Sequence, residues 1–369
     1  MKKLIKIAVI GGSYDSTIGS THLKSLLATG KFKITCGFFS RAKSKNKLNV
    51  KMYNISNEKI YNNLNKLIIK EKNNFDLVIV LSPPNTRYSI YKELVKNNIK
   101  FITEKPFEGE LNNAIKSYKL LKSKKNFLCS TYNYLGYPSL LEIKPLIKKQ
   151  LGKIINFNIE MPQQAFILNF KKIKKWRLKD NKIPNIHLDL ASHLLSLLIY
   201  FFDEYPNKVM SYETKLINKK VIDNSYVWLK FKNFMGNLWF SKNSAGERNE
   251  MSIRIYGTKA SIEWKHSKSD KIILKKNNGQ IEIIDRLSKN KKFINNNNLY
   301  TYSAGHPNGF LDAFINIYNE IFRIYHNENK NPKSPFILNL KQNLNIISIL
   351  NSMHQSAKKN IWQKIKVIS

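Results

Sequence analysis

Short apolar runs alternate with amphipathic stretches from the start of the chain to residue 135. Residues 4–10, LIKIAVI, form a β-type run, and GGSYDSTIG follows. STHLKSLLATG then places Leu23, Leu26 and Leu27 at helical spacing and stops at Gly30. FKITCGFF reads as a second strand, NKLIIKEK as a helix, and DLVIVLSPP as a third strand ended by two prolines. YSIYKELVKNN is helical, IKFITEKP is a fourth strand, NNAIKSYKLLKSKK a further helix and NFLCSTYNY a fifth strand. Unbroken alternation of strand and helix predicts an α/β fold with a parallel, doubly wound sheet. Such sheets bind ligands outside the carboxyl ends of their strands.

The pattern changes after residue 150. KIINFNIEM alternates as a strand, and PNIHLDLASHLLSLLIYFF is an apolar helix. VWLKFKN, GNLWFSKN, EMSIRIYGT, ASIEWKH and later GQIEIID are strands joined by short turns, which predicts a mostly antiparallel sheet. DRLSKNKKFINNNN reads as a polar loop. GFLDAFINIYNEIFRIY is strongly amphipathic, and LKQNLNIISILNSMHQSAKK is a last helix. The expected division is 1–131 and 132–369, and a length of 369 residues suits two domains.

Composition narrows the class. No apolar run approaches the length of about 18 residues needed to span a membrane. The opening MKKLIKIAVIGG imitates a signal peptide, but Lys6 interrupts it and a glycine turn follows in place of a cleavage site. It reads as the first strand of a soluble protein. Cys36 and Cys129 make neither a disulfide scaffold nor a zinc site, and fit a reducing cytoplasm.

The net charge is +38, from 63 Lys+Arg against 25 Asp+Glu. That charge raises the question of nucleic acid. Only 7 of the 63 basic residues are arginine, the residue favoured for base and phosphate forks. The lysines are scattered along the chain, and Lys, Asn and Ile share AT-rich codons. Genome composition explains these excesses together, so no specific nucleic-acid partner is expected. The charge still attracts anions over long range at low salt.

Candidate chemistry lies at strand ends. GGSYDSTIG, between first strand and first helix, offers Gly11, Gly12, Ser13, Ile18 and Gly19 to a pyrophosphate at a helix N-terminus. The spacing is not G-x-G-x-x-G. The second strand ends in Ser40-Arg41 with no acid for ribose hydroxyls, which favours NADP over NAD unless Arg41 is simply solvated. Ser82, Pro83 and Asn85 in SPPNTRY form a rigid turn, or line the nicotinamide half of a pocket. Glu104-Lys105-Pro106 ends the fourth strand. A lysine there can stabilise a developing alkoxide, although one lysine more among 56 needs no function. Asp189 and His193 are four apart and share a helix face. A lone histidine would read as a satisfied core residue; burying an Asp/His pair without purpose is costly.

E-K-P after such a strand, followed by D-x-x-x-H opening a helix in a second domain, resembles the Gfo/Idh/MocA oxidoreductases. GGSYDSTIGSTH is similar to the GGGPGSFIGAVH type of loop. TYNYLGYPSL, LWFSKNSAGERNEMSIRIYGTKASIEW and AGHPNGFLDAFINIY resemble segments of the branch holding levoglucosan-dehydrogenase-like and inositol-dehydrogenase-like enzymes. The resemblance covers nearly the whole chain. It implies an N-terminal Rossmann domain and a C-terminal α+β domain on an open antiparallel sheet whose free face often forms homo-oligomers, dimers or tetramers. It implies Lys105, Asp189 and His193 as the catalytic trio. Glu104 and Asn133 would lie by the cofactor, and Tyr134, Trp176, Arg177 and His306 by the substrate.

The chain departs from the pattern at Ala191, where a glycine is usual, and at Ser196, where an acid is common. Ser13 and Asp15 replace loop glycines. The expected activity is NAD(P)-dependent hydride transfer at a secondary alcohol of a sugar, sugar derivative or cyclitol. The alternative is a catalytically idle dinucleotide-binding sensor or scaffold of the same fold.

Overall fold

The computed structural model describes residues 2–40, 42–168, 173, 178–217, 219–306, 308–327 and 334–368. The chain divides into two compact units, Met1–Gly136 with Phe310–Leu344, and Tyr137–Gly309 with Asn345–Ser369. Segment 310–344 joins the first unit, apart from its neighbours in sequence.

In the first unit, β1 (Ile5–Gly11), β2 (Phe32–Phe38), β3 (Leu77–Leu81), β4 (Phe101–Glu104) and β5 (Phe127–Thr131) pair in parallel, in the order β2-β1-β3-β4-β5. Helices α1 (Thr17–Ala28), α2 (Lys43–Tyr53), α3 (Leu64–Glu71), α4 (Arg87–Lys96) and α5 (Leu111–Leu121) alternate with them. All of β3 is buried, as a strand covered on both faces requires. The strand order reverses between β1 and β3, where Gly11 is registered against Leu81. That reversal opens a crevice at the carboxyl ends of these two strands. Helix α2 was not expected: its KSKNKLNVKMY has too few apolar positions to mark a helical face.

The second unit carries a nine-stranded sheet. Its strands are β6 (Ile154–Pro162), β7 (Lys208–Thr214), β8 (Asn224–Lys230), β9 (Met235–Ser241), β10 (Ser252–Gly257), β11 (Ala260–Lys265), β12 (Ile272–Lys276), β13 (Ile281–Ile284) and β14 (Gln363–Lys364). The order is β13-β12-β11-β10-β6-β9-β8-β7-β14, antiparallel except for the parallel pair β6–β9. Strands β7, β12 and β14 were not foreseen. The strands alternate as a half-buried sheet should: on β8, Val227 and Leu229 are buried while Tyr226 and Trp228 are 43% and 42% exposed.

Helices of this unit include α6 (Pro138–Leu146), the short α7 (Ala165–Leu168) and α8 (Ser192–Phe202). Ser192 to Phe201 are all buried, which accounts for a helix apolar all round. Phe202 at its end meets Phe157 of β6, ring centroids 5.6 Å apart. Tyr200 donates to the Leu141 carbonyl of α6 at 2.9 Å.

Helix α9 (Phe310–His326) completes the core of the first unit, and α10 (Leu340–Lys359) follows it. Phe314, Ile317, Tyr318 and Ile321 recur at three- and four-residue spacing and join Leu23 and Leu26 of α1 in one cluster. Each fully buried side chain of this size contributes roughly 1.5–3 kcal/mol, so α9 is a structural part of the nucleotide-type unit.

Candidate active site

The glycine turn leaves β1 at the crevice. Gly11 and Gly12 adopt φ of +80° and +67°, which side chains rarely tolerate. A Cβ on Gly19 would stand 2.5 Å from Gly12 Cα, so the first turn of α1 lies directly on the loop. Ser16 caps the helix by accepting from Gly19 N at 3.3 Å. Asn49 of α2, fully buried, braces the loop from behind: Tyr14 N donates to its Oδ1 at 2.9 Å, and its Nδ2 donates to Ser13 Oγ at 3.3 Å. Asp15 accepts from Lys45 Nζ at 2.6 Å, which offsets the charge this loop gained in place of a glycine. Ile18 packs partly buried on the core.

Arg87 holds the ends of β3 and β4 together. It is 1% exposed and donates to the main-chain carbonyls of Ser82 (2.9 Å from Nη2), Glu104 and Pro106. Those bonds fix the main chain on both sides of Lys105, a half-buried residue directly after β4. The Lys105–Pro106 peptide is cis. The Glu104 carboxylate accepts from Thr131 Oγ1 at 2.8 Å and from His22 Nε2 at 2.7 Å, and His22 Nδ1 lies 2.7 Å from the Tyr318 hydroxyl. Burial alone would raise the Glu104 carboxyl. The His22 imidazole, through its charge and its hydrogen bond, together with Lys105 and Arg87, outweighs burial and lowers it. An anionic glutamate thus sits beside the lysine that sequence singled out.

Pro83 and Asn85 are exposed after β3, and the Asn85 side chain lies close against Gly109. Ser40 follows β2, with its carbonyl accepting from Asn46 Nδ2 at 3.2 Å. Asn133 and Tyr134, 4% and 2% exposed, form a 3₁₀ turn after β5. Ser82 Oγ and Asn133 Nδ2 are buried polar atoms without a hydrogen-bond partner among the described residues. Orphaned polar atoms at strand ends, Ser82 among them beside Gly11, fit a dinucleotide.

In the second unit, the stretch read as one helix begins with a π-turn, His187–Ala191, before α8. Such turns are frequent at functional sites. Asp189 lies in the turn, and His193, 8% exposed, opens α8. Ser196, standing where an acid is common, donates to the His193 carbonyl at 2.6 Å. The Asp189 carboxylate accepts from Lys242 Nζ at 2.6 Å. His187 Nε2 lies 3.0 Å from Glu213 Oε1, and His354 Nδ1 lies 2.9 Å from Glu213 Oε2. Burial works to raise the Glu213 carboxyl, but the two imidazoles bring it down to about 2. His306 stands in an exposed turn with Nδ1 3.3 Å from Ser303 Oγ. Arg41, Trp176 and Arg177 lie outside the described residues.

Lys105 and the loop residues therefore belong to the first unit, and Asp189, His193 and His306 to the second. The oxidoreductase-family model for an NAD-binding Rossmann fold matches residues 5–132, and that for the C-terminal alpha/beta domain of the same family matches 144–366. The chain belongs to the Gfo/Idh/MocA oxidoreductases. An uncharacterized oxidoreductase, YfiI of Bacillus subtilis, is 25% identical over 86% of this chain and 84% of its own length. An inositol dehydrogenase homolog from Azotobacter vinelandii, solved with NADH and myo-inositol, superposes with a TM-score of 0.89 at 18% identity, covering 99% of this chain and 98% of that one. Levoglucosan dehydrogenase, solved with NADH and levoglucosan, gives 0.83 at 16% identity over 99% and 100% of the two chains.

Membership of this oxidoreductase family makes the first unit an NAD-binding domain. Sequence reasoning missed Arg87, His22, Asn49 and Lys242. Arg87 had one available signal, an arginine in a chain whose composition favours lysine. The other three had none.

Proposed function

We propose that the protein is an NAD(P)-dependent dehydrogenase acting on a secondary alcohol of a sugar, sugar derivative or cyclitol. The observation that carries this is the framing of Lys105 by Arg87 and anionic Glu104 at the carboxyl edge of the NAD-type sheet. Structural neighbours solved with myo-inositol and levoglucosan support the substrate class. The dinucleotide supplies hydride acceptance at its nicotinamide. Lys105 donates a hydrogen bond to the reacting oxygen and stabilises its developing charge. His193 takes the hydroxyl proton. Asp189 holds His193 or a neighbouring hydroxyl. Asn133 and Tyr134 flank the nicotinamide and the substrate, and Trp176, Arg177 and His306 contact the substrate. The same residues serve ketone reduction.

The cofactor reading is NADP over NAD, supported by Ser40-Arg41 in place of an acid after β2. Fluorescence titration with NADH and NADPH tests it; tighter NADH binding overturns the preference. Gly19→Val, which pushes a side chain into the Gly12 backbone, is expected to weaken binding about tenfold or more, equivalent to ~1.4 kcal/mol. Cofactor binding with no turnover across a polyol panel would favour the idle sensor or scaffold.

A homo-oligomer forms through the sheet of the second unit. Tyr212, Tyr226 and Trp239 lie in one cross-strand row, Tyr212 is 60% exposed, and Tyr226 stacks on Trp239 at 6.3 Å. An aromatic face of this kind marks an interaction site. Tyr226→Glu is expected to lower the mass seen by light scattering, and an unchanged mass removes this face from the assembly. Both thiols are free, and burial raises them, Cys36 to about 12. Inert buried thiols suit a cytoplasmic protein. Among the described residues no helix is long and apolar enough to cross a membrane.

A further inference from the structure

The π-turn His187–Ala191 is tied to the sheet at two points. At its start, His187 meets Glu213, which also holds His354. At Asp189, the tie is the Lys242 ammonium. Lys242 follows β9, its N–H donating to the Asp223 carbonyl at 2.8 Å and its own carbonyl accepting from Phe166 N at 2.9 Å. Its ammonium also lies 5.4 Å over the Phe166 ring. Backbone anchors on both sides and an aromatic wall aim the stem at Asp189.

The chain has 56 lysines, yet Lys242 is the only one buried among the described residues, at 4% exposure. A buried ammonium is costly unless paired, so this placement calls for a role that a surface lysine could not fill. Among the described residues, two carboxylates of the neighbouring strands have partners of their own. Glu213 is taken by His187 and His354, and the Asp223 carboxylate accepts from Ile217 N at 2.7 Å and Asn243 Nδ2 at 3.3 Å.

We propose that Lys242 is a positioning residue: it fixes the Asp189 carboxylate and offsets its charge, so that His193 and not Asp189 receives the substrate proton. This rests on the reading of Asp189 and His193 as the reacting pair. A carboxylate that loses this ammonium, one helical turn away, would favour the imidazolium and hold His193 protonated more strongly. With Lys242 in place the ring is available as a base. The ammonium also fixes the carboxylate orientation through a charge-assisted bond, leaving the turn one geometry.

The test reads the His193 ring in the free protein by NMR with ¹³C-labelled histidine, its signal assigned by loss in His193→Asn. Lys242→Met is expected to raise the His193 midpoint by about one unit. Lys242→Arg restores the wild-type value, a rescue that lost packing alone would not give. Lys242→Gln serves in the same comparison if the methionine variant does not fold. In turnover, the acidic limb of the kcat/KM profile moves up with the ring midpoint. An unchanged His193 midpoint in both neutral variants overturns the proposal whether or not a substrate is found. If the wild type oxidises no polyol but the ring still responds to Lys242→Met, the positioning role stands and the dehydrogenase reading is what fails.

Discussion

His193→Asn lowers kcat by about 10²–10⁴, the range over which a positioned general base contributes, while NAD(P)H binding stays within about twofold of wild type. The dinucleotide elements lie in the first unit and His193 in the second, which is why the two readouts separate. Lys105→Met gives a loss of about 10²–10³, as for removal of one donor to a developing oxyanion. Here the neighbours sharpen the expectation. Arg87 still fixes the main chain at Glu104 and Pro106, so the methionine variant loses the ammonium without losing the turn. Steady-state kinetics beside cofactor titration distinguishes chemistry from binding. Near-normal turnover in both variants would remove the trio from the mechanism.

Glu213→Gln destabilises the second unit by roughly 3 kcal/mol at neutral pH, because two buried imidazoles lose their carboxylate partner. The pH dependence follows from the folded value near 2 against an ordinary carboxyl of about 4.5. A depressed carboxyl contributes its full stability above the unfolded value and loses it as pH falls toward the folded one. The gap between wild type and Glu213→Gln therefore closes as pH falls between about pH 4.5 and 2. Urea unfolding followed across that window measures it. A gap that does not narrow in acid would mean that Glu213 acts through packing and not through its charge.

The parallel sheet was legible because each of its strands is a short apolar run bounded by a turn, LVIVL of β3 above all. The candidate site was suggested in the sequence by chemistry at strand ends, the glycine turn, Ser82 and Lys105, and by the helical spacing of Asp189 and His193. Helix α2 was hidden by its own lysines, and Asn49, which braces the glycine loop, went with it. Lys242 was hidden in the same way, since burial and not residue type distinguishes it from the other lysines. Glu213 meets partners at positions 187 and 354, and no local pattern encodes a contact across such separations. The parallel pairing of β6 with β9 is likewise a consequence of how the sheet closes, invisible in the alternation of either strand. The amphipathicity of α9 announced a buried face without saying which core would bury it.

That last feature bears on how the protein is made. The Phe314, Ile317, Tyr318 and Ile321 face of α9 belongs to the core that α1 and β1 begin. On the ribosome, the strands of the first unit emerge long before the helix that finishes them, with Tyr137–Gly309 synthesised in between. Nascent domains ordinarily fold in the order of their appearance. Here the apolar face of the earlier unit stays open until α9 has been made.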